Sequence, residues 1–303
     1  MKNLTLKILA LVMTIILLLP LVVACGEEDP TTPTTPSTNP PEQTEAEKFD
    51  AMSEADKAFY ILNMDVDNTD AKKFSNSVRL NLQNAEYNNC MLDTSISVQL
   101  VTVNTEEEYI DFNQIVISAK AQGNGYGGTV TSTSTTTVKT GWIDGKQFQY
   151  AQSVVDNRGT TKKTFTYQSK EDYLASKAEA EQEAAGGIDI PENFGVTRNS
   201  CATITCTQDE YGNWVAIFTD VNEEALAEFK KIAKPFEQYV NMDDITDVRL
   251  KLVVDSDLKP VQASVVYEFS SNKLLNLSLS CSYASGNDVV MPEIDISDYD
   301  EKK

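Results

Sequence analysis

The chain has 303 residues, with 46 acidic and 25 basic side chains, no histidine, five cysteines and 41% hydrophobic residues. A formal net charge of −21 supplies no basic footprint for phosphates, so a nucleic-acid partner is not expected. The missing histidine removes Ser–His–Asp and Cys–His catalysis and every imidazole-bound metal centre.

Lys2 and Lys7 precede an almost unbroken apolar stretch, Ile8 to Val23. That stretch is shorter than the about 20 residues a membrane span needs, and a positive start before it reads as a secretory signal. Its end, Val22-Val23-Ala24-Cys25, resembles the bacterial lipobox. The resemblance implies that residues 1–24 are removed and that Cys25 is acylated. The chain would then sit on the extracytoplasmic face of the cell membrane, held by its lipid anchor. Removal takes two lysines and no acid, leaving 23 basic against 46 acidic residues.

Residues 25–44 read as a tether. Six of the ten prolines fall before residue 42, interleaved with Thr, Ser and Asn. Such a segment is an extended, partly polyproline spacer that reaches about 3 Å per residue. No comparable linker interrupts residues 45–298, which read as one domain, and residues 299–303 read as a charged tail.

The domain opens with a helix. Phe49, Met52, Ala55, Phe59 and Leu62 fall three or four apart with charges between them. Strands follow. Ile96, Val98 and Leu100 alternate with polar residues. Ile110 and Phe112 alternate, and then the phase slips to Ile115 and Ile117, which predicts a β-bulge. Residues 129–140 are nearly all Thr, Ser and Val, which favours strand yet supplies little bulk. Asp144-Gly145 and Asn157-Arg158-Gly159 predict tight turns. A second helix is expected over 170–185, stopped by Gly186-Gly187. A third is expected over 221–240, with Asp220 and Glu223 as a capping box and an interruption at Pro235. Strands then alternate through Val248–Val254, Val261–Phe269 and Leu275–Tyr283. The expected fold class is α+β: a strongly curved antiparallel sheet of about ten strands, an unclosed barrel wrapped around helices.

This order resembles the LolA/LolB and LppX/LprG type of bacterial lipoprotein, a type that also includes uncharacterised lipoproteins of Firmicutes. Three segments carry the resemblance: Trp142-Ile143-Asp144-Gly145-Lys146, Val253–Val261 with its Leu258-Lys259-Pro260 turn, and Asp288-Val289-Val290-Met291-Pro292. It implies an apolar cavity for acyl chains, and so a carrier of an apolar or amphiphilic ligand. Trp142, Phe148, Tyr150, Phe229, Phe236 and Leu277 are the candidate cavity residues. The alternative is a surface interaction or regulatory module with a filled core. Its protein partner is not legible.

No enzyme, cofactor or metal is expected. Asp65-Val66-Asp67-Asn68-Thr69-Asp70 begins like a calcium loop, but Asp70 stands where glycine is wanted and Asn76 where a bidentate glutamate is. It reads as a solvated turn. Asp243, Asp244 and Asp247 read as surface charges. Gly123–Gly128 lacks the phosphate-loop lysine and reads as a hairpin tip. Among the carboxylates no two stand out as a catalytic pair. Cys90, Cys201, Cys206 and Cys281 allow three pairings. Cys201 and Cys206, five apart on a strand, should face opposite sides roughly 16 Å apart, too far for a disulfide.

Overall fold

The hydroxyl of Thr44 accepts from the Glu47 backbone N–H, and the Glu47 carboxylate accepts from that of Thr44, so a short helix starts there. The fold is taken from a computed structural model that describes residues 44–64, 72–87, 89–105, 108–125, 128–184, 196–270 and 274–302. Helix α1 covers Glu45–Asp50 and α2 covers Glu54–Leu62. The single helix expected here is broken at residues 51–53, because Ser53 caps a new N-terminus by accepting from Asp56 N–H. Phe59, Ile61 and Leu62 keep their apolar face buried.

Helix α3 covers Lys170–Ala184 and has almost no apolar side. Helix α4 covers Glu223–Ala233 and buries Ala225, Phe229, Ile232 and Ala233. Its N-cap is Asn222, which accepts from Ala225 N–H at 2.9 Å. The expected Asp220 cap does not form, because Asp220 takes a left-handed conformation (φ 56°). Pro235 ends α4 early, and Lys234–Phe236 form one tight 3₁₀ turn.

Twelve strands are present among the described residues, two more than expected. They are β1 (Lys73–Tyr87), β2 (Cys90–Asn104), β3 (Tyr109–Gly125), β4 (Gly128–Ile143), β5 (Lys146–Val155) and β6 (Arg158–Tyr167). After α3 come β7 (Cys201–Gln208) and β8 (Trp214–Val221), then β9 (Ile245–Val254), β10 (Pro260–Phe269), β11 (Asn276–Ser285) and β12 (Asp300–Glu301). They form one sheet in the order β12-β6-β5-β4-β3-β2-β1-β11-β10-β9-β8-β7, curved and not closed. All neighbours are antiparallel except β12, which runs parallel to β6. β1 pairs with β11 along ten positions, joining two meanders.

The sheet carries a core on each face. On the inner face, α1, α2 and α4 cover Val78, Leu80, Ile96, Val98, Leu250, Val265 and Leu277. Phe59 meets Phe218 edge-on at 5.5 Å, and the Tyr267 hydroxyl donates to the Phe229 carbonyl at 3.0 Å, tying α4 to β10. Each such large apolar side chain contributes about 1.5–3 kcal/mol on burial. On the outer face a smaller core joins Val101, Phe112, Phe148 and Val289, with Ile294, Ile296 and Tyr299 packed beside them.

The second core explains the phase slip in β3. Its ladders to β2 and β4 run without a break, so no bulge exists there. Phe112 serves the outer core and Ile110 is buried on the same side, while Ile115 and Ile117 serve the inner core. The register shift lies instead between Leu82 and Ala85, where Asn84 has φ 56°.

The outer core follows one row across the sheet: Ala284, Ser75, Val101, Phe112, Gly141, Phe148, Phe165 and Glu301. The chain from Val289 to Glu301 lies over this row as a strap. Tyr299 stands edge-on to Phe148 at 6.3 Å, Lys163 pairs with Asp298, and the Lys302 N–H donates to the Phe165 carbonyl at 2.8 Å. The stretch read as a charged tail therefore contributes a core ring and the last strand.

Candidate functional site

The inner face is apolar near the helices and turns polar toward α3. One row reads Cys281, Val78, Val98, Ile115 and Val138. The next, on the same side, reads Tyr283, Asn76, Leu100, Asn113 and Thr140. The third includes Phe74, Thr102, Asp111 and Trp142.

Helix α3 closes the third row by polar contacts, since it lacks an apolar face. The Asp111 carboxylate, 5% exposed, pairs with Lys177 and accepts from the Tyr173 hydroxyl at 3.0 Å. The Trp142 indole N–H donates to the Gln168 carbonyl at 2.9 Å and its ring lies 6.4 Å from Tyr173. The Lys170 ammonium sits over Tyr109 at 4.4 Å.

Between α3 and the main core the inner face is only partly covered. Leu100, Val138, Leu279 and Cys281 pack against that core yet stay half-exposed. Burial pushes the Cys281 thiol up to about 11 and raises the Tyr283 phenol as well. Asn76 Oδ1 and Asn113 Oδ1 have no hydrogen-bond partner there, two strands or about 10 Å apart.

The six candidate residues do not meet in one place. Phe229, Phe236 and Leu277 belong to the inner core, where all three are buried. Trp142 is the inner-face residue beneath α3. Phe148 lies in the outer core beneath the strap, and Tyr150 shares its face two positions along β5. The partly covered residues Asn76, Leu100, Asn113, Val138, Leu279 and Tyr283 are not among the six. Their alternation in β1, β2 and β11 was the only signal, and it marks a face, not a hollow.

A separate groove of about 310 Å3 opens on the outer face across β1 to β4. Asn81, Gln83, Asp93, Ser95, Ser118 and Lys120 are among its walls, so it is polar. Among the described residues no cluster of three or more metal-ligating side chains forms. Asp247, read as a surface charge, accepts from the Asp220 and Val221 N–H groups and so fixes the end of β8. The Asp65–Asp70 turn, the tip residues 126 and 127, Gly186-Gly187 and Cys25 lie outside the described residues.

The other cysteines are all free thiols. Cys201 and Cys206 both reach the inner core, contrary to the opposite-face expectation. Across the ladder from them the pairing skips Asp220, whose left-handed conformation interrupts simple alternation. Burial raises both thiols to about 11.

No family model matches this chain, and no curated protein matches its sequence. Among solved structures it is similar to the crystal structure of a β-barrel-like protein, a domain of unknown function (DUF1849) from Brucella abortus. The identity is 8% and the TM-score 0.22, over 71% of this chain and 97% of that one. At that score the likeness carries no argument, and the fold rests on the strand ladders themselves. No described helix is long and apolar enough to cross a membrane.

Proposed function

We propose that this chain is a lipid-anchored, extracytoplasmic, non-enzymatic domain that binds an apolar or amphiphilic ligand in a recess over the partly covered strip of its inner face. The supporting observation is the strip Leu100, Val138, Leu279 and Cys281, apolar side chains left half-exposed beside a desolvated polar row. An apolar chain along the strip would gain about 25 cal/mol for each Å2 withdrawn from water. A polar head would meet the Asn76 and Asn113 amides.

The test uses the mature chain from residue 25, carrying Cys25→Ser, which keeps every described residue. It takes up an environment-sensitive apolar dye in the native state, and a long-chain amphiphile displaces the dye. Leu279→Trp fills the recess and lowers dye uptake at least about fivefold while the thermal midpoint moves little. Leu277→Trp is the wrong probe, because Leu277 is fully buried and the larger ring would overpack the core. Native protein that takes up no dye sinks the carrier reading and leaves an interaction module with a filled core. The closed packing of Phe229, Phe236 and Leu277 favours that second reading.

A further inference from the structure

The charge of this chain is unevenly placed. From Gly128 to Lys170 there are six cations (Lys139, Lys146, Arg158, Lys162, Lys163 and Lys170) and two acids, Asp144 and Asp156. Everything outside that segment holds 19 basic and 44 acidic residues. The segment is the three-stranded arm β4–β6 at one end of the sheet.

Within the arm, the inner and outer faces differ. Lys163 is tied to Asp298, and Lys139 and Lys146 lie over Tyr150 and Phe165. Arg158 and Lys162, on the inner face of β6, are exposed and have no such partner among the described residues. Val130 and Val155 share that face near the arm's tip, 60% and 43% exposed. Both acids sit in turns, so β4–β6 carry none on this face, although Asp300 of the flanking β12 borders it opposite Thr164. Asp156 is engaged as well, accepting from Ser132 Oγ and Thr133 N–H.

We infer that this strip, Val130, Val155, Arg158 and Lys162, docks on an anionic lipid bilayer. Cations select anionic headgroups, and exposed valines beside them gain only where an apolar layer lies just beneath the charge. A soluble polyanion would use the cations and leave the valines in water. The inference does not depend on whether the recess holds a ligand.

The overall charge makes the experiment demanding. A mature chain with 23 basic and 46 acidic residues is repelled by an anionic surface, so any anionic-lipid-dependent attraction is local. The mature chain carrying Cys25→Ser is sedimented with vesicles of phosphatidylcholine alone or with 30% phosphatidylglycerol, in about 50 mM salt. Binding is expected only to the anionic vesicles, and falls steeply in about 300 mM salt as screening shortens. Arg158→Gln with Lys162→Gln weakens it at least about tenfold. Val130→Ser with Val155→Ser weakens it severalfold. All four positions are exposed, and matching thermal midpoints show that the variants are folded.

Equal binding to both vesicle types overturns the inference. So does a cation variant that binds as the parent does. Competition by soluble polyphosphate, with the valine variant unaffected, would assign the strip to a polyanion instead and also overturns it.

Discussion

Phe112 and Phe148 face each other across an intervening strand, ring centroids 6.4 Å apart, because the residue between them is Gly141. A Cβ at position 141 would lie 2.1 Å from the Asp111 carbonyl oxygen and 3.0 Å from the Phe148 ring. Neither neighbour is the free end of a flexible chain. Gly141→Ala is therefore expected to destabilise the fold by about 3 kcal/mol, the upper end for overpacking. A urea denaturation midpoint unchanged from the parent would show that the outer core is loose.

The strap gives a local prediction. Tyr299 reaches Phe148 edge-on and is half-buried, so Tyr299→Ala should cost about 2 kcal/mol, less than for a fully buried aromatic. The loss should concentrate in β5 and β6, because these strands contribute no buried residue to the inner core. Amide exchange is expected to quicken in residues 146–167 and stay slow in β9 and β10. Uniform acceleration would mean the two cores unfold together.

Helix α3 hangs on Asp111. Asp111→Ala removes the acceptor for Lys177 and Tyr173, leaving α3 held by Trp142, Tyr109 and their neighbours. The Lys177 end is partly exposed, so the expected cost is about 2 kcal/mol, below the range for a fully buried pair. New proteolytic cuts within 170–184, with the rest of the chain intact, are the readout. An unchanged cleavage pattern would show that the ring contacts alone dock the helix.

The buried thiols set an alkaline limit. Burial holds Cys201, Cys206 and Cys281 protonated to about 11, against an ordinary value of 9.0. Between those values the unfolded chain has released protons that the folded chain still binds. Stability from this source is complete below about pH 9 and is lost as pH rises toward 11. Denaturation midpoints should fall across that window, and native alkylation at pH 8 should be at least about tenfold slower than in denaturant. Rapid native alkylation of Cys201 and Cys206 would contradict their burial.

Lipidation is tested at Cys25. Stable anchoring takes two acyl chains, since one holds only marginally. Cys25→Ala should leave unprocessed precursor or release the protein to the medium. A variant still processed and membrane-bound would refute the lipobox reading.

Much of the sheet was legible as period-two alternation. Val248, Leu250, Leu252 and Val254 share one side of the sheet, as do Leu277, Leu279, Cys281 and Tyr283, so counting by twos placed them. β1 carries the same signal in Val78, Leu80 and Leu82, diluted by Asn and Arg, which is why it is not among the expected strands. The slip between Phe112 and Ile115 misled because a bulge and a second core leave the same trace in sequence. Only the unbroken ladder separates them. Aromatic residues were the natural cavity candidates, yet bulk draws them into filled cores. The partly covered strip mixes apolar and amide side chains, so alternation marks its face and nothing more.

The seam between β1 and β11 has a kinetic consequence. Arg79 and Ser280 meet there although 201 positions separate them. A chain delivered N-terminus first, from a ribosome or through a pore, can zip β1–β6 as successive hairpins. The free edge of β1 then stays an open template until β11 arrives. Closing so long a loop is slow, and an unpaired edge invites other chains meanwhile. Holding the chain extended until the last third has emerged would serve this topology better than early folding.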